Sequence, residues 1–457
     1  MSTTRLTLVG LASLLFCGGV LFLGFAVDRT NFWDLMLGFI GAFAGYFGLL
    51  QWGKAVQLSR LVGLGILIRL ILVFAFPLLS DDLYRFLWDG YLLNAGITPF
   101  AELPAYYVEN VVGVPGLSPA LFQQLNSPEY YTIYPPLAQL SFYLATLIAG
   151  DNWWLGSVLM KLILFATEIG TLWLLWRMLP KWKLPRWQLL LYWLNPLIII
   201  EIVGNLHFEG MMVFFLLLAL YFLQRQRIIT AALAFAASVA AKLLPLMLLP
   251  FLIVRLWRRE SSRPFWVFSF TFGITVLLLF VPLISLDVIE NFGSSLDLYF
   301  RKFEFNASIY YLFRAYGYYE IGWNQIARFG PLLGKMAAIF ILIIAAIEGS
   351  WNRKRYVRLS DIYLSLPKWW MFAFTVYLLF ATTVHPWYLS VPILMSVFGR
   401  WRYPIVWSFF IVLTYASYTS VPYRENYYLV GLEYVAVVAY LLWESRYGAS
   451  KTLLPTA

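Results

Sequence analysis

The sequence predicts an all-α polytopic membrane protein, and three observations lead to that fold class. Of the 457 residues, 61% are hydrophobic and only 12% are charged, whereas soluble domains are about half apolar and about a quarter charged. Mean hydropathy is +0.74. Aromatic residues make up 19% of the chain, as expected for a protein with belts at both membrane–water interfaces. These values predict that lipid surrounds most of the chain.

Apolar runs that are long enough to cross a membrane recur along the chain. A span needs roughly 20 apolar residues, and fewer where the chain turns back inside protein. On this basis we expect about fourteen spans in a single transmembrane domain over residues 1–457. They lie near residues 6–27, 32–51, 61–79, 153–176, 187–204, 207–224, 228–241, 243–257, 265–285, 331–349, 369–384, 387–399, 403–418 and 428–444. The first run is too long for a signal peptide, and no clear cleavage site follows it.

Basic residues predict the orientation of these spans. The net charge of +10 could suggest nucleic-acid binding. However, Lys and Arg lie mainly in short connectors between apolar runs, where they indicate which connectors face an anionic leaflet. With both termini in the cytoplasm, the basic connectors fall inside. The outer face of the inner membrane, toward the periplasm or exterior, then carries residues 80–151, 286–330, 385–386 and 419–427. The apolar run 137–149 is predicted to lie in the outer interface, because a crossing there would place the basic cluster 177–186 outside.

Few residues are suited to metal or redox chemistry. Cys17 is the single cysteine, which excludes an internal disulfide framework, and His207 and His385 are the only histidines. A histidine-rich metal site and an HExxH peptidase are therefore excluded. No cofactor is predicted, although a divalent ion held by Asp81 and Asp82 is an open alternative.

The long external loop begins with three carboxylates and an arginine, in the sequence SDDLYRFLWDG. If this motif starts a helix, Asp82 and Arg85 are one turn apart, and so are Arg85 and Asp89. Such ion pairs would support the helix. Alternatively, one unpaired carboxylate of the motif faces a membrane-embedded cavity and takes a proton from a hydroxyl nucleophile.

Polar residues near or inside the spans are further candidates. Charges are costly in lipid, so Arg69, Lys161 and Glu168 are expected to face the bundle interior, where pairing with other buried groups is the simpler interpretation. A denser group lies at the outer end of two consecutive spans and consists of Glu201, Asn205, His207 and Glu209. Four polar groups at one recessed turn indicate the lining of a site, whereas a lone histidine would usually be structural.

Lys242 separates two short helices that the stretch 228–257 is predicted to form. A cation at such a recessed external turn suits a phosphate, and snorkelling of the side chain to the interface is the alternative. Two other external pieces are less informative. One is the segment 299–314, which includes Arg301, and the other is the HPWY turn that begins at His385, whose aromatic residues an interfacial belt would explain.

Carboxylates, buried cations and an aromatic-rich external loop together suit the transfer of a sugar from a lipid phosphate to a hydroxyl. The hydroxyl loses its proton as it attacks the anomeric carbon, and the departing phosphate gains charge that a nearby cation stabilises. A polyprenyl carrier would explain why such a site is embedded in a membrane.

Several sequence blocks resemble the bacterial mannosyltransferase-like branch of the GT-C glycosyltransferases. They are SDDLYRFLWDG with GITPF, YPPLAQ, NPLIIIE with GNLHFEGMM, AAKLLPLMLLP, FNASIYYLFR and HPWY. The resemblance implies a GT-C fold of many helices, with interfacial helices in a large first external loop. It also implies a polyprenyl-phosphate donor such as polyprenyl-phosphate-mannose and inversion at the anomeric carbon. GT-C enzymes often place the large loop after the first span, whereas here the loop follows the third predicted span, so two extra N-terminal helices are a departure from that pattern. No C-terminal carbohydrate-binding module is expected.

The resemblance also implies roles for individual residues. The catalytic base maps onto Asp81, with Asp82 as the close competitor. Contacts to the donor phosphate map onto Arg85, Lys242 and Arg301. The candidate substrate-binding residues are Asp89, Tyr134, Glu201, Asn205, His207, Glu209 and His385.

Two other functions would use the same residue types. A transporter or flippase of lipid-linked sugars would use the charges to conduct its substrate, and helices broken near the midplane would be expected. An O-antigen ligase or polymerase would place its large loop and key basic residues late in the chain. The long acidic first loop favours the transferase, whose sugar and whose glycan or lipid acceptor the sequence leaves open.

Overall fold

The computed structural model describes a helical chain. It covers residues 3–448 apart from 111, 258–261, 282–289, 292, 296, 298–300, 353–362 and 420–422. Within these ranges the one strand-like pairing is an isolated bridge between Phe305 and Thr383. The predicted all-α fold class is therefore confirmed for the described residues.

The described α-helices are numbered here in chain order. They are α1 Thr3–Phe25, α2 Phe32–Trp52, α3 Leu58–Val73, α4 Asp82–Asn94, α5 Pro104–Glu109, α6 Pro119–Gln123, α7 Pro136–Ala149, α8 Trp153–Met178, α9 Leu190–Trp193, α10 Pro196–Ile198, α11 Glu209–Gln224, α12 Ile228–Ala241, α13 Leu249–Trp257, α14 Arg263–Phe280, α15 Ile309–Ile321, α16 Ile326–Asn352, α17 Leu366–Phe380, α18 Ser390–Ser396, α19 Tyr403–Phe410 and α20 Tyr427–Tyr447. Tighter 3-10 turns cover Gly53–Ala55, Leu179–Trp182, Arg186–Leu189, Leu244–Leu248, Pro386–Leu389 and Ile411–Thr419, and Ile199–Gly204 is a π-helix.

Six helices of the described chain are long and apolar enough to cross a membrane. They begin at Thr3, Phe32, Trp153, Arg263, Ile326 and Tyr427. The helix pair Arg186–Trp193 and Pro196–Gly204, bent by 54°, adds a seventh if it is one span. The chain is thus a multi-pass helical membrane protein. The predicted total of about fourteen also counts shorter apolar helices, and that number stays a prediction.

Close packing of α1 against α2 positions the turn between them. A Cβ atom added at Gly45 would lie 2.3 Å from the backbone nitrogen of Phe16, and one added at Gly19 would lie 2.4 Å from that of Ala42. Only glycine permits such a close approach of two helix backbones, as is common in membrane proteins. The hairpin therefore holds its connecting turn, which contains Arg29, in a defined place.

The external loop packs its helix α4 against α7. Phe86 stacks on Phe142 with ring centroids 4.5 Å apart, and a Cβ atom at Gly90 would lie 2.6 Å from the Phe142 carbonyl oxygen. Helix α7 has 14 residues, or about 21 Å at 1.5 Å per residue, which is shorter than a hydrocarbon core of about 30 Å. Its predicted location in the interface is compatible with this length and stays a prediction.

Ionisable residues inside the bundle are buried and have partners. Arg69 Nη2 lies 3.0 Å from Glu168 Oε2, and both side chains are 0% exposed. The guanidinium also lies 3.8 Å from the ring centroid of Trp193. Lys161 donates to the carbonyls of Leu72 and Ala75 at 3.3 and 2.5 Å. These contacts support the structural interpretation of the three charges.

Candidate active site

Asp81 and Asp82 lie where the external loop enters helix α4. Asp81 precedes the first helical residue and Asp82 begins the helix. The Tyr134 hydroxyl donates to Asp82 Oδ2 at 2.9 Å, and the Asn126 amide donates to Oδ1 at 3.0 Å. The Asp81 carboxylate, whose side chain is 32% exposed, is bound by Arg29. The two adjacent carboxylates therefore have different partners, and both are partly open to solvent.

Arg29 is a member of the site that the sequence analysis missed. It lies in the turn between α1 and α2 and donates to Asp81 Oδ2. Its guanidinium carbon lies 4.9 Å from the ring centroid of Tyr418. The available signal was a basic residue in a turn that the predicted orientation places outside, where basic residues are disfavoured.

Burial controls the proton affinity of Asp81. Burial raises the pKa of its carboxyl above the usual value for Asp, and Arg29 opposes this rise without reversing it. Smaller contributions in the same direction come from Asp82 and Asp28. A carboxylate with a raised pKa is a better general base than an ordinary surface carboxylate.

The second half of the acidic motif is buried and hydrogen-bonded to other parts of the external loop. Arg85 Nε donates to Asp89 Oδ1 at 2.8 Å, one helical turn away, and the side chains are 4% and 0% exposed. Arg85 Nη1 donates to the carbonyls of Tyr130 and Ser127 at 2.7 and 3.3 Å. Gln139 donates to Asp89 Oδ2 at 2.9 Å. These contacts favour the interpretation in which the pair supports the loop, and the geometry adds nothing for a phosphate role of Arg85.

The polar turn between the bent helix pair and α11 is also buried. Glu201 lies in the π-helix Ile199–Gly204, an irregularity that is frequent at functional sites. Its Oε1 accepts from the Tyr415 hydroxyl at 2.7 Å. His207 Nδ1 donates to the Glu201 carbonyl oxygen at 2.8 Å and lies 3.2 Å from Oε2. Leu206 has a φ of +66°, a strained conformation for a branched residue, and it turns the chain so that His207 meets Glu201.

Both histidines of the chain stack on the ring of Trp387. The centroid distances are 3.6 Å for His207 and 4.5 Å for His385, and the rings are nearly parallel, at 15° and 5°. Trp387 therefore belongs to the site, whereas the sequence suggested an interfacial belt. Burial lowers the pKa of His385 to about 3, so its imidazole is neutral near pH 7.

Three buried nitrogens of this stack and of the polar turn have no hydrogen-bond partner among the described residues. They are His207 Nε2, His385 Nδ1 and Asn205 Nδ2. Buried polar atoms are nearly always hydrogen-bonded in folded proteins. These three atoms are therefore suited to contact a bound polar molecule.

Lys242 connects this turn with the acidic motif. It follows α12 directly, and its Nζ lies 2.9 Å from Glu209 Oε1. The same Nζ lies 5.1 Å from the ring centroid of Tyr134, whose hydroxyl binds Asp82. The side chain is only 16% exposed, which argues against the snorkelling alternative. Tyr134 thus links Lys242 to Asp82, one of the two candidate bases.

Arg301 lies apart from these residues. Its Nε donates to Asp297 Oδ1 at 2.6 Å, and the two side chains are 51% and 55% exposed. In the described part of the chain this is an ordinary surface ion pair, and it adds no support for a phosphate contact. Tyr299, in the same predicted segment, lies outside the described residues.

Fold and site together point to the class of membrane-embedded glycosyltransferases. A comparison with known protein families agrees with this class. The profile of the family described as "Alpha-(1->6)-mannopyranosyltransferase, N-terminal domain" matches residues 16–258. This range is more than half of the chain, and the chain therefore belongs to that family. The resemblance to mannosyltransferases that the sequence blocks indicated is confirmed.

Two curated relatives have the name Alpha-(1->6)-mannopyranosyltransferase A. The protein from Corynebacterium glutamicum is 28% identical over 184 residues, which are 40% of this chain and 36% of that protein. The protein from Mycobacterium tuberculosis is 26% identical over 231 residues, which are 49% of this chain and 42% of that protein. The chain thus spans less than half the length of the curated relatives it matches. The family match includes Arg29, Asp81 and Lys242 but ends before His385 and Tyr418.

Proposed function

We propose that the protein transfers a mannosyl group from a polyprenyl-phosphate donor to a hydroxyl of a glycan or lipid acceptor at the outer face of the membrane. A bond forms between the acceptor oxygen and the anomeric carbon. The bond from that carbon to the phosphate oxygen breaks, and polyprenyl phosphate leaves with the electron pair. Attack opposite the phosphate inverts the anomeric carbon. The observation that carries the proposal is the partly exposed carboxylate of Asp81, which pairs with Arg29 and lies next to the negative charge of Asp82.

Asp81 is the proposed base that receives the proton of the acceptor hydroxyl. Its raised pKa suits proton abstraction near neutral pH. Asp82 is less suited, because both of its carboxylate oxygens already accept hydrogen bonds, from Asn126 and Tyr134. We assign to Asp82 the role of orienting Tyr134.

Arg29 and Lys242 are the proposed partners of the donor phosphate. Each cation pairs with a carboxylate, Arg29 with Asp81 and Lys242 with Glu209. Phosphate oxygens are strong acceptors for both guanidinium and ammonium groups. A bound donor would draw Arg29 away from Asp81 and thereby release a carboxylate oxygen for the acceptor proton. His207, His385 and Asn205 would contact the sugar through their unpaired nitrogens.

The proposal includes a topology with about fourteen spans and both termini in the cytoplasm. Contacts between connectors support it, because they join predicted outer segments to one another and predicted inner segments to one another. The outer contacts include Arg29 with Asp81. The inner contacts include Trp182 with the Leu364 carbonyl, at 3.1 Å, and the Glu444 carboxylate with the backbone nitrogen of Arg402, at 2.7 Å.

We propose that transfer requires no divalent ion, because Arg29 and Lys242 supply positive charge where the phosphate departs. The expected outcome is an unchanged transfer rate after treatment with EDTA. A rate that falls with EDTA and recovers with added Mg²⁺ or Mn²⁺ would instead assign Asp81 and Asp82 to a metal site.

The test of the function uses purified protein, polyprenyl-phosphate-[¹⁴C]mannose and a cell extract of lipids and glycans as acceptor. We expect the wild-type protein to transfer label and Asp81→Asn to be at least about 100-fold slower. Full activity of Asp81→Asn would reject Asp81 as the base. Donor binding without any transfer by the wild type would favour a flippase or a different sugar on the same carrier.

Lys242→Ala tests the phosphate contact separately. We expect the KM for the donor to rise roughly tenfold, while the KM for the acceptor stays within about twofold. Lys242→Arg keeps the charge and is expected to retain most of the donor affinity. An unchanged donor KM in Lys242→Ala would remove Lys242 from the phosphate site.

A further inference from the structure

A chain of aromatic rings continues outward from the candidate active site. We call Phe305, Tyr418 and Tyr423 the aromatic platform. The rings of Tyr418 and Tyr423 are 5.9 Å apart, and Phe305 lies 5.9 and 6.0 Å from them. Tyr423 is 42% exposed, Tyr418 is partly exposed and Phe305 is buried behind them. None of these rings has a role in the chemistry proposed above.

The platform is continuous with the residues of the proposed reaction. Tyr418 lies under the guanidinium of Arg29, at 4.9 Å, and Arg29 binds Asp81. Phe305 packs on His385 with centroids 4.7 Å apart. A molecule that places a hydroxyl at Asp81 and extends away from it would therefore meet Tyr418 first and Tyr423 next.

Hydrogen bonds position two residues of the platform, Phe305 and Tyr423. The backbone nitrogen of Phe305 donates to the Thr382 carbonyl at 3.0 Å, and the Phe305 carbonyl accepts from Val384 at 2.8 Å. Tyr423 donates to Glu425 Oε1 at 2.9 Å. These bonds hold the rings in place before any ligand arrives, which lowers the entropic cost of binding.

The Glu425 carboxylate adds a polar edge to the platform. Besides Tyr423, it is bound by the Tyr311 hydroxyl and, at 2.5 Å, by the backbone nitrogen of Asn306. Burial raises the pKa of Glu425 above the usual value for Glu, although these hydrogen bonds oppose the shift. Flat ring faces bordered by hydroxyl and carboxylate groups suit a ligand with apolar C–H faces and many hydroxyls.

We propose that the aromatic platform binds the carbohydrate chain of the acceptor beyond the sugar that is attacked. This proposal rests on the proposed transferase function and adds the acceptor class, an oligosaccharide, together with its location. A sugar ring offers C–H groups to the tyrosine faces and hydroxyls to the polar edge. A polyprenyl chain could cover the ring faces, but it has no hydroxyl that could add hydrogen bonds at the polar edge formed by Tyr423 and Glu425. The chemistry of the platform therefore favours saccharide over lipid.

The test compares two acceptors of different length, methyl α-mannoside and α-1,6-linked mannotriose, with polyprenyl-phosphate-mannose as donor. We expect Tyr423→Ala to raise the KM for the trisaccharide about 2- to 10-fold, the loss typical of one aromatic stacking partner. The KM for the monosaccharide and for the donor should not change, since neither reaches Tyr423. Tyr423→Phe keeps the ring and should remain close to wild type.

Tyr428→Ala is the matched control. Tyr428 is 91% exposed, and it makes no ring contact within the described chain. Its removal should leave all KM values unchanged. An unchanged trisaccharide KM in both Tyr423→Ala and Tyr418→Ala would overturn the proposal, as would a raised donor KM in Tyr423→Ala, which would assign the platform to the lipid.

A binding measurement separates this proposal from the proposed reaction. Saturation-transfer NMR with mannotriose and purified protein in nanodiscs requires no turnover. Trisaccharide signals in the wild type that weaken in Tyr423→Ala but not in Tyr428→Ala support the platform even if no transfer occurs. If the wild type transfers mannose but Tyr423→Ala gives the same trisaccharide signals as the wild type, the proposed reaction stands and the platform is rejected.

Discussion

Two aspartates of the acidic motif, Asp81 and Asp89, each pair with an arginine, but the two ion pairs have very different surroundings. Arg85 and Asp89 are 4% and 0% exposed and bind loop carbonyls and Gln139 as well as each other. Arg29 and Asp81 are 27% and 32% exposed. In the buried pair, both carboxylate oxygens of Asp89 already accept hydrogen bonds from protein groups. The exposed pair can exchange its partners, because water or a ligand can replace either one.

This difference shows that sequence proximity does not decide which charges act on a substrate. Asp81 and Asp89 belong to the same motif. Asp89 pairs with Arg85 within one helix, whereas Asp81 pairs with Arg29 from a different part of the chain. Breaking a buried pair leaves a charge without compensation, which is costly. Breaking a partly exposed pair costs little stability, because solvent replaces the partner.

The largest expected effect is the contrast between activity and stability in Asp81→Asn. Transfer should fall about 100- to 10,000-fold, the range for loss of a general base. Stability should change by no more than about 1 kcal/mol, because the Arg29–Asp81 pair is partly exposed. The measurements are the transfer rate and the midpoint of thermal unfolding in detergent. A large loss of stability would show that Asp81 is structural.

Asp89→Asn should give the reverse result. The variant leaves the Arg85 guanidinium buried without its carboxylate, a change that typically destabilises by about 3–5 kcal/mol. We expect a clearly lower unfolding midpoint than in Asp81→Asn under the same conditions. Residual folded protein should bind the donor with near-normal affinity. A wild-type unfolding midpoint combined with lost donor binding would restore Asp89 to the substrate site.

The sequence was sufficient to predict the helical membrane class and many of the polar residues that meet at the site. Hydropathy shows which segments prefer lipid, and the alternation of basic connectors indicates which ends lie together. Arg85 and Asp89 were predictable as a pair because a helix places residues four apart on one face. Glu209 and Lys242 were each predicted, but their contact at 2.9 Å depends on how separate helices pack.

Each residue that the sequence analysis missed has at least one partner that is distant in the chain. Arg29 meets Asp81 across 52 positions, and it meets Tyr418 across most of the chain. Trp387 resembles a belt residue until the fold places both histidines on its ring. Local periodicity contains no information about such contacts, because they arise from the packing of whole helices.

Arg29→Gln tests whether Arg29 lowers the pKa of the proposed base, Asp81. Arg29 opposes the rise in the pKa of Asp81, so removing it should raise that pKa further. The base must be deprotonated, and the acidic limb of the pH profile of kcat/KM should therefore move to higher pH. Near neutral pH we expect kcat/KM of Arg29→Gln to be roughly tenfold below the wild-type value. The value for Arg29→Lys should lie between those of the wild type and Arg29→Gln. An acidic limb that stays in place would separate Arg29 from the base.

The smallest expected effect is that of Arg301→Ala. Arg301 is about half exposed and pairs with Asp297 on the surface, and such pairs contribute about 0–1 kcal/mol. Donor KM, acceptor KM and unfolding midpoint should therefore stay close to wild type, within about twofold for the kinetic constants. The variant is matched to Lys242→Ala, since each removes one cation that the family resemblance assigned to phosphate. If Arg301→Ala raised the donor KM as much as Lys242→Ala, both cations would contact the donor, and solvent exposure would be a poor guide to which charges act.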